Sequence, residues 1–131
     1  MMFKVKIDSL FNIVYSYLYE NYYIDKCLQL ENVYLDYPFD EGEWAAIRHN
    51  DNKKIFALIY QRNGNVCINF KNAPQWGMFW RESFKSVSPA YHMNKEHWST
   101  VIIGDDADEE QIMQMVSDSY NLTKKKTRSK K

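Results

Sequence analysis

The apolar positions of this chain change period twice, and each change marks a different kind of element. Leu10, Phe11, Ile13, Val14, Tyr17 and Leu18 recur at the three-and-four spacing of an amphipathic helix. Asp8 stands where a cap would accept the first free N–H groups, so a helix is predicted over 9–21 with that stripe in the core. Residues 22–42 lose the period and hold Pro38 and Gly42, which reads as a long loop. From residue 44 the runs become short, β-branched and aromatic: 44–49, 54–60 and 65–70. Asn50-Asp51-Asn52-Lys53 separates the first pair, and Asn63-Gly64 the second. The latter dipeptide tolerates positive φ at both central positions of a tight hairpin, so three antiparallel strands are predicted.

The helical period returns after Pro74, which suits a first helical turn because the N–H it lacks would have no partner there. Trp76, Phe79, Trp80 and Phe84 define the buried stripe of a helix ending near Lys85, with Gly77 as a weak point inside it. Residues 86–96 contain Pro89 and show no period. A short extended piece around 90–92 and a turn at Asn94-Lys95 are expected, then a strand over 98–103. Asp106 and Glu109 have capping-box spacing, and Ile112, Met115, Val116 and Tyr120 form the core face of a last helix. No apolar residue follows Leu122, so 1–122 read as one domain and 123–131 as a disordered basic tail. The fold class is α+β in the order α-βββ-α-ββ-α, with an antiparallel sheet of about five strands.

Composition narrows the function classes. With 45% apolar and 16% aromatic residues among 131, the chain can build a core and is not disordered throughout. No apolar run reaches the length of a bilayer span, so no membrane partner is expected. Lys4, Lys6 and Asp8 precede any apolar stretch, unlike a secretory leader, and Cys27 and Cys67 lack CxxC spacing. Together these predict a cytoplasmic protein with buried, reduced, inert thiols.

Seventeen bases balance seventeen acids, but the charges are partitioned along the chain. Residues 1–43 hold three bases and eight acids, and 44–103 hold eight bases and three acids. Residues 104–122 hold six acids and no base, and 123–131 hold six bases and no acid. A polyanion would therefore meet the middle segment or the tail. Nucleic acid is the partner this suggests, through Arg48, Lys53 and Lys54 at the first hairpin, Arg62 at the second, and Lys85 and Lys95 beyond, with Lys71 and Arg81 adding charge. Consecutive hairpin tips lie at opposite ends of their shared strand, about 20 Å apart, so the two tips cannot grip one phosphate pair, although a duplex lying along the sheet could touch both. The bland alternative is ordinary solvated charge.

The densest chemistry is Tyr91-His92-Met93-Asn94-Lys95-Glu96-His97-Trp98. His92, Asn94 and His97 are too few for a zinc site, which wants three or four ligands, and neither cysteine is near in sequence. His97 shares a strand face with Ser99, but no orienting group or oxyanion device accompanies the pair, so no catalytic residue, metal or cofactor is expected. The acids Asp105, Asp106, Asp108, Glu109 and Glu110 suit the first turn of a helix better than a metal ridge. Asn94 and one histidine are expected to hydrogen-bond the loop backbone, Trp98 to be buried against the helices, and Lys95 to stay in water.

The 91–98 block, the Ser86-Val87-Ser88-Pro89 before it and Tyr37-Pro38-Phe39 ahead of the strands closely resemble the MmcQ/YjbR-like family. So do the strand Lys54-Ile55-Phe56-Ala57 and Phe70-Lys71 before Pro74. The likeness runs from about residue 33 to 122, with Ala90 where glycine is common and Asp108 where proline often begins the last helix. It implies a CyaY-like two-layer fold and a non-enzymatic, DNA-binding role through a double-wing arrangement. The alternative is a protein-interaction or small-ligand module that uses the 91–98 loop.

Overall fold

The Asn63-Gly64 turn takes the shape its residues favour, with φ of 54° and 79°, and the strands beside it pair from Ala57↔Phe70 to Arg62↔Asn65. The computed structural model describes residues 2–39, 43–91 and 93–126, with side chains from Leu10 onward. In chain order the elements are α1 (Met2–Leu28), β1 (Val33–Asp36), β2 (Ala45–His49), β3 (Ile55–Arg62) and β4 (Asn65–Lys71). They continue with α2 (Pro74–Ser83), β5 (Val87–Pro89), β6 (Trp98–Ile102) and α3 (Glu109–Thr123). The strands form one antiparallel sheet in the order β1-β2-β3-β4-β6-β5.

Alternation along the strands sorts the side chains into two layers. Ala45, Ile47, Ala57, Ile59, Val66, Ile68, Phe70 and Val101 meet Tyr23, Ile24 and Cys27 of α1, Trp80 of α2, and Ile112, Met115, Val116 and Tyr120 of α3. Ile59 and Ile68 face each other fully buried, and each such side chain contributes about 2 kcal/mol. On the second face Ala46, Leu58, Tyr60 and Cys67 are covered by Trp44, Tyr91 and Met93, not by a helix. Both cysteines are buried and free, and burial pushes the Cys27 thiol up to about 12.

Several expectations are corrected. No proline or glycine interrupts the first 37 residues, and α1 runs from Met2 to Leu28 instead of 9–21. Its expected core stripe is outside: Leu10, Phe11, Ile13, Val14, Tyr17 and Leu18 are all exposed, because the helix docks through its last third. Tyr23, near the end of the helix, is in the core. Part of the presumed loop is β1, whose Val33-Tyr34-Leu35-Asp36 pairs with β2 after a left-handed Asn32 at φ 63°. In α2 only Trp80 of the expected stripe is buried; Trp76 and Phe79 lie about half exposed and Phe84 is intermediate. The extended piece is β5 at Val87–Pro89, an edge position that tolerates proline, and not 90–92.

Asp108, not Asp106, caps α3, exchanging hydrogen bonds with Gln111. Asp106 instead accepts the Lys85 and Ser86 N–H groups at 2.8 and 3.1 Å. Thr123, assigned to the tail, closes α3 and is buried, its hydroxyl 2.8 Å from His49 Nε2. The rest of the tail beyond Lys126 lies outside the described residues.

Candidate functional site

The second face of the sheet is built around Asn69, which is fully buried. Its Oδ1 accepts the Tyr60 and Thr100 hydroxyls at 2.7 and 2.6 Å, and its Nδ2 donates to the Tyr91 carbonyl at 3.0 Å. The Tyr91 N–H in turn donates to Thr100 Oγ1 at 3.1 Å. The strand register sets Asn69 opposite Thr100 and the Tyr60 phenol within reach, so three strands fix one loop residue. Burial pushes the Tyr60 phenol up to about 12, which keeps it a neutral donor.

On this floor lies an aromatic stack. Trp44 is parallel to Tyr60 with ring centres 3.8 Å apart, and Tyr91 lies 6.1 Å from Trp44. The Arg62 guanidinium sits 3.9 Å above the Tyr91 ring, and Phe39 meets Trp44 edge-on. Tyr37 and Phe39 at the rim are both exposed.

The other cations of the sequence reading fall into separate places. Arg48 pairs with Asp36 at 2.9 Å and donates to the Lys53 carbonyl at 2.7 Å. Lys53 occupies a left-handed turn position with its ammonium 5.9 Å from the Tyr34 ring, and Lys54 beside it is exposed. These three gather at one end of β3 and Arg62 stands at the other. Lys85 pairs with Asp105 at 3.5 Å, after α2. Lys95 is not a free turn-tip ammonium: its Nζ donates to the Ala90 carbonyl at 3.0 Å and so closes the loop on itself.

Within that loop Asn94 Oδ1 accepts the Glu96 and His97 N–H groups at 2.9 and 3.1 Å, as expected of a loop-holding side chain. The His97 imidazole is exposed, and only the residue's backbone takes part, its carbonyl accepting from Asn72 N–H. Trp98 is intermediate in burial and outside the helix-packed core. His92 lies outside the described residues.

Two buried networks had no signal in the sequence. Arg81 donates to Ser99 Oγ at 2.9 Å, and Ser99 donates to Asn72 Oδ1 at 2.6 Å, tying α2 to β6. Gly77 is required there, since a Cβ would stand 2.5 Å from Asn72 Nδ2. The second runs from His49 through Thr123 and on to Ser119, whose hydroxyl donates to the Phe56 carbonyl at 2.7 Å. Desolvation holds the His49 imidazole below its ordinary value, in the neutral form. Among the described residues no three His, Cys, Asp or Glu side chains gather as a metal site, and no helix is long and apolar enough to cross a membrane.

The family model named YjbR matches residues 28–122. Protein YbdF of Escherichia coli O157:H7 is 38% identical over 92 residues, covering 67% of this chain and 75% of its own. YyaQ of Bacillus subtilis is 31% identical over 100 residues, covering 68% and 84%. A crystal structure of a Pseudomonas syringae protein superposes with a TM-score of 0.71 at 29% identity, covering 79% of this chain and 97% of its own. A Deinococcus radiodurans protein with a DUF419 domain gives 0.69 at 27% identity, covering 79% and 77%. The match spans β1 to α3, the part of the molecule that carries the sheet, its aromatic floor and the closed loop: the chain belongs to the YjbR family.

Proposed function

We propose that the chain is a non-enzymatic binding module that takes single-stranded nucleic acid on the sheet face turned away from the helices. The observation that carries this reading is the half-buried Tyr91–Trp44 pair, seated on the buried Tyr60 ring and flanked by the planar Arg62 guanidinium. Bases stack on such surfaces, while cations further along meet the backbone. The second support is the division of charge. The strands hold Arg48, Arg62 and Lys71 against one acid, Asp36, which Arg48 neutralises, whereas α3 holds Glu109, Glu110 and Asp118 and no base. A strand of nucleic acid running along β3 would pass from Arg62 to Lys53 and Lys54. The 91–98 loop contributes Tyr91 to this surface; Asn94 and Lys95 are engaged by the loop itself, which disfavours the loop as an independent contact.

Fluorescence anisotropy with a labelled single-stranded oligonucleotide tests the reading. Affinity is expected to be micromolar or weaker near physiological salt, and about three phosphate contacts give a log–log salt slope of about −2. Losing one stacked group costs about 1–3 kcal/mol, so Arg62→Ala should weaken binding by at least about fivefold. Arg62→Lys should recover only part of that, because it keeps the charge and loses the plane. No binding at low salt, or a clear preference for duplex, refutes the proposal.

A further inference from the structure

The N-terminal part of α1 is apolar on the side turned away from its own domain. Asn12, Ser16 and Glu20, spaced four apart, run in line with Tyr23, Ile24 and Cys27, the face that meets the sheet. Glu20 accepts from Gln61 Nε2 at 2.9 Å, which confirms that this polar strip is the one facing the body. The rest of the circumference carries eight large apolar side chains between Leu10 and Tyr19, each 47–64% exposed. Phe11, Tyr15 and Tyr19 stack in an i, i+4 ladder along it. Together they present about 1,000 Å² of surface, counting aromatics at 150–250 Å² each. Single patches on monomers run to about 300–600 Å², and each partner of a stable complex gives up about 800 Å².

We infer that this surface is covered by a second copy of the chain, with the two α1 helices packed antiparallel. Charge sets the direction. Lys4, Lys6 and Asp8 lie in the first turns of the helix, and Asp25 lies near its end beside Lys26, which pairs with Glu109. A two-fold axis near Val14 and Tyr15 sets Lys4 level with the partner's Asp25, whereas parallel packing sets like charge on like. The antiparallel arrangement also opposes the helix dipoles and is compatible with a two-fold, isologous contact. A membrane surface is the poorer occupant, because no base lies between Lys6 and Lys26 to meet anionic headgroups beside the exposed apolar residues. The surface lies outside residues 28–122, the span that the family model matches.

Sedimentation equilibrium of the full chain at micromolar concentration should return twice the monomer mass of 15.7 kDa. Val14→Glu with Leu18→Glu should restore 15.7 kDa while leaving the melting transition in place, since both side chains are exposed. Asp25→Lys should weaken association by at least about tenfold, and Lys4→Asp added to it should restore it. Tyr15→Cys, beside the two-fold axis, should oxidise to a covalent dimer, the native cysteines being buried. A mass of 15.7 kDa at every concentration, a dimer indifferent to the paired glutamates, or co-sedimentation with anionic lipid vesicles through α1 would each overturn the inference.

Discussion

The two ends of α1 are made of similar residues and have opposite fates. Tyr23, Ile24 and Cys27 are buried under the sheet, at 5%, 6% and 0% exposure, while Ile13, Tyr17 and Leu18 stand near 60%. Nothing in residue type separates them. What differs is the sheet beneath: β2, β3 and β4 end under the last third of the helix, and the earlier turns run past them. Hydrophobic periodicity reports that a helix has an apolar side. It does not report which body that side meets, and here the stronger stripe points away from the domain.

The largest effect that sharpens this contrast is a pair of truncations at matched chemistry. Ile24→Ala should cost about 2–5 kcal/mol in urea unfolding, the range for a buried aliphatic that leaves a cavity. Ile13→Ala should stay within about 0.5 kcal/mol when the protein is diluted below any association. Equal losses would show that the first half of α1 docks on its own domain and would erase the comparison.

The second face makes the same point with polar groups. Asn69→Ala strands the Tyr60 and Thr100 hydroxyls in a dry site and should cost about 1–3 kcal/mol. Lys95→Ala removes one part-buried hydrogen bond and should cost about 0.5–1.5 kcal/mol. It should leave oligonucleotide binding unchanged, since the ammonium is turned to Ala90. Loss of binding at constant stability would return Lys95 to the contact surface.

A smaller effect marks the end of the domain. Removing residues 124–131 should leave stability within about 0.5 kcal/mol, whereas cutting at 122 takes the Thr123 hydroxyl from His49 and should cost about 1–2 kcal/mol. The same contact gives a pH signature. Burial lowers the His49 pKa, so the unfolded chain binds the proton more readily and neutral His49 stabilises the fold above its ordinary 6.5. That contribution should be lost as pH falls from 6.5 toward the lower folded value, seen as a drop in melting temperature that His49→Gln diminishes. A melting temperature that rises over that interval would contradict the buried neutral imidazole.

Local chemistry was enough for a large part of this molecule. The Asn63-Gly64 hairpin, the three central strands, the start of α2 at Pro74 and the core face of α3 follow from rules that act over a few residues. The 91–98 signature carried the family, because its spacing is itself a local property. What the tertiary structure decided are the choices between equally satisfactory local options. Asp106 and Asp108 could each cap a helix, and the 85–86 turn took the first. Val33–Asp36 became a strand only because β2 offered its edge. Trp76 and Phe79 match the stripe of α2, yet the close Gly77–Asn72 contact sets which side of that helix lies down, and they stay out. Arg81, Ser99 and Asn72, or His49 and Thr123, lie 18 to 74 positions apart, and no periodicity joins residues at that distance. Propensity and capping are decided within a turn or two of chain; burial and buried hydrogen bonds are decided by which surfaces meet.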